Sequence, residues 1–151
     1  MNQTIDVLLG SWRVERTITD YLNVEDGTFL GTATVSLVDA PDGESEQAHY
    51  VESGEITLGD YSGHSSRELY YVATGDTSVT VNFRDGHSFI DLDLAKGASV
   101  DEHLCGLDRY VITTAAKSRD HMEEEWHVRG PEKDYAAVTT LRRIRERPTR
   151  T

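Results

Sequence analysis

The stretch LLGSWRVERTI, residues 8 to 18, sets a permanently charged arginine on a face otherwise made of core residues. In an extended strand alternate side chains share a face, so Trp12, Val14, Arg16 and Ile18 point one way and Arg13, Glu15 and Thr17 the other. Arg16 cannot shed its charge by deprotonation, so burial obliges it to meet a carboxylate, a ligand anion or trapped water. The segment AHYVESGEITLG offers the counterpart, because Tyr50, Glu52, Gly54 and Ile56 align and Glu52 is again a charge among core residues. A bidentate contact would satisfy both groups. Such a pair can be a plug that fixes register, or Arg16 can meet the carboxylate or enolate of a ligand while Glu52 orients it. In HMEEEWHVRG, Glu124 shares a face with Met122, Trp126 and Val128, which makes it a second candidate partner for Arg16.

Tyr50, Phe83 and Trp126 fall on inward faces and can wall a flat or apolar ligand. In HLCGLDRY, His103 and Cys105 are read on one face of a strand, with Asp108 and Tyr110 on the other. Strand spacing there would supply two metal ligands, whereas zinc takes four protein ligands or three plus water, so no metal site is expected. His103 is a candidate acid, base or heme ligand. Asp108 and Tyr110 suit a carboxylate and phenol pair in the wall. GPEKDY places Lys133 at a tight turn, where it can attract anions.

These groups need a scaffold, and most of the chain alternates with period two between turn dipeptides, the pattern of antiparallel strands joined by hairpins. Helix signals are nearly absent. The runs predict about nine strands, which close most economically as an all-β, antiparallel up-and-down barrel of about 8 to 10 strands. In RELYYVAT both faces carry large residues, and the inward face is open; it is open for the last strand too.

With 151 residues and no composition shift, the chain reads as a single domain over 1–145 and a disordered basic tail over 146–151. A net charge of -12 argues against nucleic acid and anionic membranes as partners. Cys105 is the sole cysteine, so no internal disulfide is available, and it is expected to be buried. No signal peptide or membrane span is evident, so a cytoplasmic location is expected. Phosphate loops, dinucleotide fingerprints, Ser-His-Asp orders and helical zinc-protease motifs do not occur, which removes NTPases, Rossmann oxidoreductases and common hydrolases.

Gly10-Ser11-Trp12 on the first strand, with an arginine on the last, resembles the lipocalin and fatty-acid-binding superfamily, the calycins. That resemblance implies that Arg142 or Arg143 lies across the Trp12 indole at the closed end of a barrel, a structural cation-π contact. More specifically, GSWRVERTI, YVESGE, VNFRDGHSF, HLCGLDRY and WHVRGPEKDY resemble a bacterial lipocalin-like family of unknown function. It implies the barrel and brings no activity. No cofactor is expected; heme is the one option the calycins bring in, through their nitrobindin-like branch, and the glycine run that follows the tryptophan there is missing.

The expected function is binding of a small, partly apolar, acidic organic ligand in the barrel interior. Arg16, Tyr50, Glu52, Phe83, His103, Tyr110, Glu124 and Trp126 would form that site. Two alternatives stand beside it. One is a cofactor-free proton-transfer enzyme of isomerase or cyclase type that uses Glu52, Asp108 or His103 with Arg16. The other is an interaction protein with a filled barrel. An exposed strand or face can support a homodimer.

Overall fold

A computed structural model describes residues 1–145; the tail expected at 146–151 lies outside the described residues. A short helix, α1 (Gln3–Leu8), precedes ten strands: β1 (Gly10–Asp20), β2 (Glu25–Asp39), β3 (Glu46–Leu58), β4 (Tyr61–Ala73), β5 (Ser78–Asn82), β6 (Ser88–Asp93), β7 (Ala98–Cys105), β8 (Asp108–Ser118), β9 (His121–Gly130) and β10 (Lys133–Arg143). They form one antiparallel sheet in the order β6-β5-β4-β3-β2-β1-β10-β9-β8-β7. The β1–β10 ladder joins the two ends of the chain, as the expected up-and-down barrel requires.

The two ends of this sheet, β6 and β7, meet through side chains. The backbone N–H of Asp91 donates to Asp101 Oδ2 at 2.7 Å, and that of Asp93 donates to Ser99 Oγ at 3.2 Å. Carboxylate and hydroxyl thus stand in for a ladder and leave the barrel nearly closed.

Alternation does what the period-two pattern requires of β1, where Trp12 and Val14 are buried, Arg16 is half-buried, and Arg13, Glu15 and Thr17 are exposed. Two segments depart from the sequence reading. The run HLCGLDRYVITTAA is a hairpin rather than one strand, because Gly106 (φ +61) takes the left-handed conformation that favours glycine and turns β7 into β8. His103 therefore stands opposite Tyr110 on the same face, and Cys105, expected to be buried, is exposed at the turn.

The second departure is α1, which closes one end of the barrel. Its six residues are too few to show a helical period. Asn2 caps it by accepting from the Ile5 N–H at 3.0 Å, and its amide donates to the carbonyls of Gly75 and Ser78. Thr4 donates to the Thr77 carbonyl at 2.6 Å and accepts from the Leu94 N–H at 2.9 Å, and Ile5 and Leu8 are buried. No helix of the described residues is long and apolar enough to cross a membrane.

At this closed end Arg143 lies across the ladder from Trp12, its guanidinium carbon 4.3 Å from the ring centre. It also donates to the carbonyls of Val7 and Leu9, which the last turn of α1 leaves unpaired. Trp12 Nε1 donates to the Leu8 carbonyl at 2.9 Å. Arg142 does not share this role, because the adjacent position faces outward and is exposed.

Candidate functional site

Arg16 and Glu52 belong to strands that are not neighbours, with β2 running between them. Inward positions of β2 along that crossing are Gly31 and Ala33, so no large side chain blocks the guanidinium. The room has a backbone cause: a Cβ on Gly31 would lie 2.2 Å from the Ser53 carbonyl oxygen, so the strands approach too closely for anything larger. Arg16 Nη2 and Nη1 donate to Glu52 Oε1 and Oε2 at 2.7 and 3.0 Å, and Arg16 Nε donates to Thr139 Oγ1 at 2.8 Å. The Phe29 ring backs the guanidinium at 5.1 Å.

Glu52 is 3% exposed and also accepts from the Tyr50 hydroxyl at 2.7 Å. Burial pushes its carboxyl up, but the hydrogen bonds from Arg16, the charge of Arg67 and the Tyr50 hydroxyl outweigh burial and hold it below the usual carboxylate range. That direction opposes a role as proton carrier near neutrality. Burial, then the Glu52 charge, raises the Tyr50 phenol; burial and the Glu124 charge raise that of Tyr71.

Arg67 on β4 completes the charge set, and the sequence reading did not include it. Its Nη2 stands 3.5 Å from Glu52 Oε1, and its guanidinium carbon lies 5.2 Å from the Trp126 ring centre and 5.9 Å from that of Tyr50. Burial disfavours its charge, while Glu52 and Glu124 together more than restore it. Its Nε is buried and donates to no group of the described residues. Glu124, expected as a second partner for Arg16, accepts instead from the Trp126 indole at 2.5 Å. The interior therefore holds two arginines and two glutamates, with both arginines facing Glu52 and the Glu124 charge acting on Arg67 from a distance.

A signal for Arg67 was present in the chain. Gly59 and Asp60 form a two-residue turn that sets Leu58 against Tyr61, and counting back along that register puts Arg67 opposite Glu52. The large residues on both faces of RELYYVAT, which leave its inward face open in the sequence, hid it.

Above this cluster, toward the end away from α1, aromatic rings converge. Phe89 is the hub, with ring centres of Phe83, Trp126, His103 and Tyr110 at 4.9, 5.0, 5.1 and 6.1 Å. Phe89 was missed because the β5–β6 register shifts at Val81/Asn82, so that both Phe89 and Ile90 are buried. The predicted Phe83, His103, Tyr110 and Trp126 all belong to this cluster. Lys133 sits at the rim, donating to the Tyr110 hydroxyl at 3.1 Å and pairing with Asp108 at 3.1 Å, contacts that raise its pKa.

The cavity inside the barrel measures about 40 Å³, room for a few water molecules, and is lined from Leu8 and Trp12 at the closed end up to Arg16, Arg67, Glu124 and Trp126. Among the described residues no three His, Cys, Asp or Glu side chains gather as a metal set.

The barrel is similar to the S-type phycobiliprotein lyase CPES from Guillardia theta, with a TM-score of 0.69 and 12% identity over 95% of this chain and 92% of that one. It is also similar to a protein of unknown function of the DUF3598 family from Nostoc punctiforme, with a TM-score of 0.55 and 14% identity over 93% of this chain and 49% of the other. At such identities the likeness is one of fold, the lipocalin-like barrel. No curated protein matches the chain. The match that runs through barrel and site alike is to a family model covering residues 8–143, and the chain belongs to that family, the family of unknown function DUF6314.

Proposed function

We propose that the barrel binds a small, partly apolar organic acid at the junction of the charge set and the aromatic rings. The observation that carries this reading is Arg67. Arg16 engages each of its three nitrogens on Glu52 or Thr139, whereas Arg67 is 28% exposed, keeps a buried Nε without an acceptor among the described residues, and lies against the Trp126 and Tyr50 rings. A guanidinium with unspent donors beside aromatic faces suits an anionic group attached to a flat apolar body. In this reading Arg16, Glu52 and Tyr50 form a rigid wall, and Arg67 is the anchor. The ligand is a freely exchanging small molecule rather than nucleic acid or lipid surface.

The test is fluorescence titration with 8-anilinonaphthalene-1-sulfonate, an aromatic anion, alongside a native mass spectrum of the purified protein. Binding to the native protein is expected, and Arg67→Gln should weaken it about tenfold, the worth of one charge-assisted hydrogen bond. Equal binding by both proteins would remove Arg67 from the role.

The 40 Å³ cavity favours a second reading, a filled barrel whose Arg16–Glu52 pair is a structural plug. No bound mass and no probe binding would select it.

A further inference from the structure

The wall of the barrel is incomplete on one side. β5 pairs with β4 only over Tyr70–Ala73, while β4 begins at Tyr61, so among the described residues the first part of β4 has no ladder partner on its outer edge. The β5–β6 turn stands beside this free edge, and Arg84 from it pairs with Glu68 at 3.1 Å; Glu68 also meets His49 Nε2 at 2.8 Å. Between edge and turn lies an open groove of about 840 Å³, lined by Val51, Ser66, Arg67, Glu68, Phe83 and Arg84 together with Asp85.

Arg67 lines both this groove and the internal cavity. Phe83 lines the groove and packs inward on Phe89. The interior holds about 40 Å³, far below the several hundred Å³ that an organic ligand occupies, whereas the groove outside is large enough. We infer that the binding site extends through the side of the barrel: an organic anion lodges its apolar body in the groove against Phe83 and Val51, and only its anionic group passes the wall to meet Arg67. This inference rests on the proposed reading of Arg67 as anchor and adds where the rest of the ligand lies. It names the ligand class as one with a body too large for the interior and an anionic group at one end.

Stopped-flow mixing with 8-anilinonaphthalene-1-sulfonate tests it. Ser66→Trp fills the groove from an exposed position and leaves the charge set intact; unchanged near-ultraviolet circular dichroism verifies its fold. Lys133→Ala opens the rim at the end of the barrel. Ser66→Trp should weaken probe binding and slow association by about tenfold, with Lys133→Ala within about twofold of the native protein. Unchanged kinetics in Ser66→Trp together with faster association in Lys133→Ala would overturn the inference and place the route at the end of the barrel, while Arg67 dependence of the affinity would keep the anchor. Failure of the native protein to bind the probe overturns both.

Discussion

Arg16 holds both oxygens of Glu52, at 2.7 and 3.0 Å, from a strand that does not neighbour the one bearing the carboxylate. With the Glu52 side chain 3% and that of Arg16 12% exposed, the charges depend on each other far more than a surface pair would. Glu52→Gln leaves Arg16 as an uncompensated charge and should cost about 3 kcal/mol in urea unfolding. The double variant Arg16→Met, Glu52→Leu removes both charges and should cost less than the two single changes together. Additive losses would show that the pair is not coupled.

Acid should weaken the fold through the same carboxylate. Glu52 titrates below its ordinary 4.5 in the folded protein, so below that value the unfolded chain binds more protons. Its contribution is complete above that ordinary value and is lost as pH falls through the lowered folded one. Thermal midpoints recorded from about pH 6 to about pH 3 should fall steeply at the low end, and Glu52→Gln should flatten that limb.

At the alkaline end the sign reverses. Burial raises the phenols of Tyr50 and Tyr71 above 10, so the folded protein retains those protons longer than the unfolded chain. Their contribution is present below the ordinary value and lost as pH rises through the folded ones. Spectrophotometric titration should show slow tyrosines that ionise with unfolding; a single free titration of all tyrosines would contradict the buried placement.

Arg143 and Arg142 should separate cleanly. Arg143→Ala loses the Trp12 cation-π contact and the bonds to the carbonyls of Val7 and Leu9, and should cost about 2 kcal/mol with a change in tryptophan emission. Arg142→Ala at its exposed position should stay within about 0.5 kcal/mol.

Backbone crowding makes a further contrast. A Cβ on Gly54 would lie 2.2 Å from the Leu30 carbonyl oxygen, and no rotamer change can move a backbone atom away. Gly54→Ala should therefore cost more than about 3 kcal/mol or prevent folding. Gly43, with φ +70 and nothing within 4 Å, carries only conformational strain, so Gly43→Ala should cost about 1 kcal/mol. Similar denaturation midpoints for the two would remove the close β2–β3 approach as the reason for glycine.

Alternation is a property of the extended backbone, so the inward placement of Arg16 and Glu52 and the antiparallel barrel could be read from spacing alone. Local chemistry also carried the β3–β4 register, in a two-residue turn that places Arg67 opposite Glu52, although the large residues on both faces of RELYYVAT concealed it. Other features had no local signature. Whether Arg142 or Arg143 meets Trp12 depends on the β1–β10 register, a pairing between the two ends of the chain. Phe89 becomes the hub of the rings only because a register shift lets consecutive residues face inward. The groove exists because β5 is shorter than β4, a mismatch that shows once the strands lie side by side. The sequence by itself determined which strand faces carry charge, because side-chain direction follows from the backbone one residue at a time. Which charges meet, and which is left with an unspent donor, was decided by the tertiary structure, because pairing across the barrel depends on register summed over many strands.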